Sequence, residues 1–594
     1  MEYRLREALL PIKDSYSTIE KVFAARGIEP NDIQHYLHTS EADLIDPCRL
    51  GNMDNGVKLL LEHIKIGSQI LVLVDCDADG YTSAAALINY LNMLFPYFAQ
   101  NKISYRIHDG KQHGLEDQVE YIMRHNEYKL IICPDSSSND YEQHKLLREN
   151  GYDILVLDHH EADRYSPDAI VINNQLSNDY PTKSLSGVGV VYKFCSRIDK
   201  VLGKHYAEDI LDLVAIGMIG DMMDIRDYET KYLINAGLNN IRNPFVSQMV
   251  QQQAFSINKA GGLCPFSVSF YIVPQINGTI RMGTIEEKLL LFESMLDFKG
   301  IASIPSTKRG CKGQFETVAE QACRNATNIK RHQDAAVTQS IALVEKIIQD
   351  KKLDENKIIA VKLLPGQLTS RNLTGLIANK LMAKYKHPFL LLTQVTHEDG
   401  TVTWDGSGRG YNTATFNDFK SFVKESGYSL LSEGHASAFG CSIADEQFEN
   451  FINYSNSTLA EVSFEPCARV DFIWDKNAFT ERDVKDIAEL KMVWGQNVEE
   501  PMVAIENVAI TKDNLAVYGK DNKHTIRITL PNGVPMIKFG VTKDEIDRLR
   551  NVPEHGCVFA NFLGKCSLNE WNGEVSGQIM VEDYELTGQT GYYF

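Results

Sequence analysis

The chain has 594 residues, 43% hydrophobic and 23% charged, with a formal net charge of −19; that balance suits a globular protein with ample core and excludes a fibrous or disordered chain. Its longest apolar runs, such as Phe389 to Leu392, are far too short to span a bilayer, its charged opening MEYRLREALL carries no secretory signal, and its eleven cysteines include no C-x-x-C, which points to reduced thiols rather than a zinc ribbon. A cytoplasmic protein of about four domains follows from a prior of ~150 residues per domain, and the acidic total does not exclude a locally basic groove for nucleic acid.

In chain order, residues 1–54 are expected to form an N-terminal helical segment. From Gly67 to about Asn240, short apolar runs at Ile70–Val74, Leu130–Cys133, Ile154–Leu157 and Ile170–Ile172 alternate with helical stretches such as Thr82–Leu94 and Gln118–Arg124. Nearly continuous apolar strands separated by helices predict a parallel, doubly wound α/β sheet, here the first lobe over 55–281. A polar, helix-rich connector is expected over 282–352. Between Ile304 and Gln333 it carries six basic residues (Lys308, Arg309, Lys312, Arg324, Lys330, Arg331) against two acidic ones, either a solvated helix face or a stripe that tracks phosphates. A second α/β lobe is expected over 353–462. Short alternating strands then predict a small β-barrel over 463–594.

The segment Ile70–Gly80 reads ILVLVDCDADG, an apolar run ending in three alternate carboxylates and a glycine. A calcium loop of the EF-hand type would need a helix in front and a glutamate at its twelfth position. That position is Ala86, and a strand precedes the acids. Each later strand also ends on acids: LIICPD at Asp135 and ILVLDHH at Asp158, His159 and His160, while Asp221 follows the apolar run Leu211–Gly220. Open parallel sheets bind ligands beyond the carboxyl ends of their strands. Oxygen ligands with one or two imidazoles suit Mn²⁺ or Mg²⁺ better than zinc, and five or six acids in one cleft can hold two cations for phosphoester hydrolysis. Gly80 lets the chain turn into a helix whose first amides can face a phosphate.

DCDADGYTS, CPD, LDHH, LSGVGVVYKF and DLVAIGMIGDMMD together resemble the DHH phosphoesterase superfamily. HDGKQHGLE, FYIVPQINGTIRMG, GSGR (Gly406–Arg409), EGHASAFG (Glu433–Gly440) and LKMVWGQNVEEP narrow the resemblance to the RecJ-type single-strand-specific DNA exonucleases, over roughly Asn55 to Tyr593. The resemblance implies a DHH-type parallel-sheet lobe, a helical connector, a DHH-associated α/β lobe and an OB-like barrel. It implies two divalent cations, Mn²⁺ first and Mg²⁺ as the alternative, held by Asp77, Asp79, Asp135, His159 and Asp221, with Asp75 a direct ligand or a support behind the ligands. Asp158 would orient the histidines, and His160 would meet the scissile phosphate or its leaving oxygen. Arg281, Ser370, Arg371, Arg409, Gly434 and His435 would bind substrate phosphates. The expected reaction is 5′→3′ removal of mononucleotides from single-stranded DNA. Single-stranded DNA is the expected partner, with a single-strand-binding protein or helicase as further candidates, no membrane contact, and a monomeric state.

Two positions depart from the family pattern: Glu433 stands where the family has glycine, and Gln112-His113 where it has Gly-Tyr. His113 is open between a packed or surface role and a functional one, and Arg371 between a phosphate anchor and a salt bridge. Gly187-Val188-Gly189 is read as close helix packing, and Trp404, Trp494 and Trp571 as core. Rival functions are a phosphodiesterase for short RNA or cyclic dinucleotides, which a barrel for longer strands disfavours, and a non-catalytic replication scaffold, which a complete ligand set disfavours.

Overall fold

The N-terminal stretch opens with a strand, β1 (Glu2–Leu5), not a helix, in the computed structural model, which describes residues 2–110, 112–368, 370–413, 415–464, 467–476, 478–519, 524–550 and 556–591. Position 111 of the HDGKQHGLE motif and the last residues of the expected barrel, 592–594, lie outside the described residues. Helices over Thr18–Ala25 and Met53–Ile66 then lead into the first lobe.

That lobe is built on five parallel strands, β2 (Gln69–Val74), β3 (Ile103–Ile107), β4 (Tyr128–Pro134), β5 (Asp153–Asp158) and β6 (Ile170–Asn173), in the order β3-β2-β4-β5-β6. β2, β4 and β5 are buried on both faces, as their unbroken aliphatic runs require. β3, whose sequence ISYRI gave no apolar run, is a half-buried edge strand. Its position matters, because the chain leaves β2 on one side for β3 and returns on the other side to β4. The carboxyl ends of β2 and β4 therefore flank the topological switch point, where such sheets open a crevice for ligand. The helices Ala78–Leu94, Gly187–Leu202 and Leu211–Gly220 pack on one another behind that crevice and are almost wholly buried.

A small hairpin, β7 (Ser303–Pro305) and β8 (Phe315–Thr317), precedes a 34-residue helix, Val318–Lys351, started by the Thr317–Glu320 capping box. At 1.5 Å per residue this helix is about 50 Å long. Cys323 and Ala326 near its start lie in the core of the first lobe, and Val337, Val344 and Ile348 near its end in that of the second. It is a spine common to both lobes. The second lobe has β9 (Ile359–Leu363), β10 (Phe389–Thr396), β11 (Val402–Arg409), β12 (Ser429–His435) and β13 (Ala438–Ala444) in the order β12-β13-β11-β10-β9, with only β9 and β10 parallel.

The C-terminal part contains β14 (Cys467–Val470), paired in parallel with β1, and β15 (Phe472–Asp475). β16 (Met502–Ile510), β17 (Leu515–Tyr518), β18 (His524–Thr529), β19 (Pro535–Val541), β20 (Cys557–Trp571) and β21 (Glu574–Thr590) join β15 in a sheet ordered β15-β16-β20-β21-β19-β18-β17. Its interior is continuous with the first lobe's core through the N-terminal segment. The Phe23 and Trp494 rings lie 5.9 Å apart, and Arg26 Nη1 donates to Asp471 Oδ1 at 2.6 Å. Trp404 and Trp494 are core residues, but Trp571 is 73% exposed, contrary to expectation. It ends β20 beside the Asn572-Gly573 turn, where the two-stranded ribbon has no layer to pack against. Among the described residues no helix is long and apolar enough to cross a membrane.

Candidate metal centre and phosphate cleft

Beyond β2 the chain turns through Asp75 and Cys76 into the helix Ala78–Leu94. Asp77 caps this helix, accepting from the Gly80 amide at 2.9 Å. A Cβ on Gly80 would lie 2.6 Å from Asp75 Cβ and 2.7 Å from its carbonyl oxygen, so only glycine lets the helix press this closely on the acid. Asp79, in the first turn of the helix, is 1% exposed. It accepts from Ser186 Oγ at 2.8 Å and from the amides of Gly187 at 2.7 Å and Val188 at 3.3 Å. The start of the helix Gly187–Leu202 thus serves as a cap for a carboxylate on another element. Gly187 does more than allow helix packing, since its amide is a donor to Asp79 and its α-carbon leaves room for Asp135.

Asp135 follows β4 with φ of 64°, a left-handed conformation that aspartate tolerates better than most residues. Its Oδ1 is buried without a hydrogen-bond partner, as is His159 Nε2. These two atoms lie 3.2 Å apart, and His159 Nε2 is 3.4 Å from Asp221 Oδ2, at the end of the helix Leu211–Gly220. Ligand atoms of Asp79, His159 and Asp221 lie within 4.8 Å of one another, and so do those of Asp75, Asp77 and Asp135. All six residues expected to hold metal are therefore gathered at the switch point, as two adjoining triplets. Asp158 has a different environment. It accepts from the Ser138 amide at 3.0 Å and the His159 amide at 2.7 Å, and its Oδ1 lies 2.8 Å from His160 Nδ1. Its oxygens are taken up in orienting the histidine pair.

Electrostatics separate these acids. Burial, followed by the charges of Asp79, Asp77 and Asp75, raises the Asp135 pKa well above the usual carboxylate range. Burial also raises Asp79, and burial with the charges of Asp79 and Asp77 brings Asp221 to about 8. Burial acts on Asp158 in the same sense, but the hydrogen bond and charge of His160 outweigh it and hold this acid below its ordinary value. Burial opposes protonation of His160 as well, yet Asp158 raises it to about 9. A set of buried carboxylates that repel one another, with an unpartnered carboxylate oxygen and imidazole nitrogen aimed among them, is the environment that divalent cations complete.

His113 is placed by the structure on Asp75, with Nδ1 2.6 Å from Oδ2. That hydrogen bond, with a second to Cys76, raises its pKa to about 11. His108 Nε2 approaches Asp75 Oδ1 at 3.8 Å, a neighbour the sequence did not single out although both histidines stand in HDGKQHGLE. Ser186 was likewise missed as a support, since a serine before a helix signals a cap for its own helix rather than for a distant acid.

Of the residues expected to bind substrate, Arg281 ends the helix Val273–Met282 and Arg409 ends β11. Burial, then the charge of the exposed Arg281, depresses the Arg409 pKa, so the two guanidiniums lie close together, as an anion site requires. Arg409 is in register with Ala438 on β13, and Ala438 with His435 on β12, which puts Arg409 and His435 at one end of the sheet, two strands apart. Gly434, at φ 124°, shapes the turn beside His435, and Lys420 Nζ donates to its carbonyl at 2.8 Å. Ser370 caps the short turn Arg371–Leu373. Arg371 Nη2 donates to the Gln394 carbonyl at 2.8 Å rather than to an acid. The basic connector is divided: Arg324 pairs with Glu316 and Lys330 with Asp334, while Lys308, Arg309 and Lys312 are exposed on the β7–β8 loop.

Residues 69–218 match the DHH family, N-terminal domain, and residues 470–583 the RecJ OB domain. The putative SPbeta prophage-derived single-strand DNA-specific exonuclease YorK of Bacillus subtilis is 33% identical over 591 residues, 99% of this chain and 98% of that protein. The single-stranded-DNA-specific exonuclease RecJ of Haemophilus influenzae is 24% identical over 620 residues, covering 98% of this chain and 99% of the relative. Among solved structures, RecJ in complex with Mn²⁺ from Thermus thermophilus shares the fold, with a TM-score of 0.68 at 18% identity over 95% of this chain and 75% of that one.

Proposed function

The chain belongs to the RecJ family of single-strand-DNA-specific exonucleases, and from that premise we propose that it removes mononucleotides from the 5′ end of single-stranded DNA with the help of two divalent cations, Mn²⁺ in first place and Mg²⁺ as the alternative. The observation that carries this is the pair of ligand triplets at the switch point, Asp79–His159–Asp221 and Asp75–Asp77–Asp135. Cations bound there supply a Lewis acid for the phosphoryl oxygens and a water acidic enough to attack. Asp158 holds the His160 ring through Nδ1, which leaves Nε2 for the scissile phosphate, and against burial Asp158 raises the pKa of that ring to about 9. Arg281 and Arg409 neutralise the terminal phosphate, with Ser370, Arg371, Gly434 and His435 around it.

A cavity of about 630 Å³ between the first lobe and the barrel supports a single strand as substrate. It is lined by Met222, next to Asp221, by Phe266 and Phe270 with rings 4.5 Å apart, and by Lys259 and Lys491, while Lys565 is paired with Glu500 and Glu582. Rings that can stack on bases and lysines that can follow a backbone suit a strand of several nucleotides and disfavour a dinucleotide substrate. A monomer acting in the cytoplasm, alongside a single-strand-binding protein or helicase, belongs to the same proposal.

Labelled single strands of both polarities test it, with Mn²⁺, Mg²⁺ or chelator. A 3′-labelled strand should shorten progressively, while a 5′ label should appear at once as mononucleotide; the reverse pattern overturns the polarity. Activity that survives chelation overturns the metal assignment. A 5′-phosphate should be preferred about ten- to a hundredfold in kcat/KM, the value of one charge-assisted contact, and Arg409→Ala should erase most of that preference.

A further inference from the structure

A second basic site lies away from the metal cleft, where the N-terminal segment meets the barrel. A recess of about 240 Å³ is lined by five arginines, Arg4, Arg6, Arg26, Arg226 and Arg469. The protein carries a net charge of −19, so this concentration of guanidinium runs against its overall composition. β1 and β14 run parallel with Arg4 directly opposite Arg469, and the ladder continues as the Arg6 amide donates to the Val470 carbonyl at 2.7 Å. By the two-residue period of a strand, Arg4, Arg6 and Arg469 share one face of this ribbon. Like charges directly opposite one another destabilise a strand pair unless something lies between them.

Two acids also line the recess, Glu499, which is engaged, and Glu7, which is exposed; two further acids nearby, Asp471 and Asp224, are engaged as well. Asp471 lies 2.6 Å from Arg26 Nη1 and 3.4 Å from Arg6 Nε, Glu499 takes Arg6 Nη1 at 3.1 Å, and Asp224 takes Arg226 Nε at 2.9 Å. Among the described residues, Arg4 and Arg469 have no acidic partner. Arg26 is 1% exposed, and its Nη2 is buried without any acceptor. An unsatisfied donor on a buried cation is costly, and a site that keeps one, beside two facing cations, is set up for an anion.

We propose that Arg4, Arg469 and Arg26 form a phosphate-binding recess, distinct from the metal cleft, that takes the phosphate of a nucleotide. Guanidinium is the side chain suited to bind phosphate through paired N–H groups, and the volume admits a phosphate or a small nucleotide rather than a duplex. That phosphate has two sources in the reaction proposed above, a released mononucleotide or a backbone phosphate of the bound strand. The short segment Asp221–Arg226 connects the recess to the metal triplets, so occupancy would bear on a loop that carries Asp221.

Calorimetry on the full chain in chelator tests this, with inorganic phosphate and thymidine 5′-monophosphate as probes. Wild type, Arg409→Ala and the double variant Arg4→Gln/Arg469→Gln are compared. The wild type should show two sites for the monophosphate; Arg409→Ala should lose the cleft site, and the double variant should weaken the other at least tenfold. Loss confined to Arg409→Ala, with binding to the double variant unchanged, argues against a recess for free nucleotide. Binding of a thymidine 20-mer over a range of salt concentrations covers the other source: the slope of log K against log salt should fall by roughly 0.7 for each backbone phosphate that the double variant no longer neutralises. If neither monophosphate affinity nor the salt slope changes, the recess binds no phosphate and the proposal is overturned, whatever the nuclease assay shows. A further readout guards against a folding artefact. Arg469→Gln added to Arg409→Ala removes the facing charge, so in phosphate-free buffer its melting temperature should be no lower than that of Arg409→Ala, and it should lose the rise that phosphate still causes in Arg409→Ala; a lower melting temperature with the rise intact counts against the site.

Discussion

Replacing Ser186 by alanine removes one donor from Asp79 while leaving the acid in place. Ser186 is wholly buried, and its Oγ donates to Asp79 Oδ1 at 2.8 Å, one of three bonds that hold this carboxylate ionised against the burial that raises its pKa. A hydrogen bond to a charged group contributes about 1.5–3 kcal/mol, so its loss should move the Asp79 pKa further up. Protons then compete more strongly with the cation, and half-saturation by Mn²⁺ should require about ten- to a hundredfold more metal, the usual effect of removing a partner behind a ligand. At saturating Mn²⁺, kcat should return to within about threefold of wild type, and the defect should shrink as pH rises, because a raised carboxylate pKa matters only while the proton competes. Metal titrations of nuclease activity at two pH values, with circular dichroism as the folding control, measure this. An unchanged Mn²⁺ half-saturation would show that the Ser186–Gly187 cap does not support Asp79 as argued. A kcat that stays low at saturating metal would show that Ser186 acts on the chemistry instead.

Asp135→Asn, which tolerates the left-handed backbone, should lower kcat by about a thousandfold or more; in chelator above pH 7 its melting temperature should equal or exceed wild type, because it removes a buried charge whose raised pKa favours the protonated folded form only at lower pH. Full hydrolysis by the folded variant would remove Asp135 from the ligand set. Trp571→Ala, on the exposed end of the β20–β21 ribbon, should weaken binding of long strands about five- to a hundredfold if one base stacks there, with dinucleotide hydrolysis unchanged, and equal affinity by fluorescence anisotropy would make Trp571 a bystander. Deleting the barrel is a poorer test, since its core is continuous with that of the first lobe. Burial lowers the Lys231 pKa to about 8, with Nζ 4.0 Å from the centre of the Tyr36 ring. The unfolded chain holds this proton more tightly between pH 8 and 10.5, so the penalty on folding is full below pH 8 and disappears as pH rises. Lys231→Met should therefore stabilise by about 2 kcal/mol at pH 7, from ~3 for the shift less ~1 for the ring contact, and the gain should vanish near pH 10.5; a gain independent of pH would point to packing alone.

The acids gathered at the switch point were legible because a buried parallel strand is an unbroken apolar run, and a carboxylate that ends it stands where the sheet opens. ILVLVDCDADG, LIICPD and ILVLDHH each state that locally, within a few residues. What those segments did not contain was their order. β3 lacked an apolar run because an edge strand is only half buried, and without it the switch point between β2 and β4 could not be located. Nor could the sequence show that Ser186 and Gly187 cap Asp79, that His113 and His108 meet at Asp75, or that Trp571 lies outside the core. Each of these is a contact between distant segments or the absence of a packing layer. The facing pair Arg4 and Arg469 is the extreme case. Residue type and local period are set by neighbours in the chain, and they determined which groups could bind metal and phosphate. Which of them share a cavity depends on strand pairing across hundreds of residues, and only burial of the common core in the folded chain decides that.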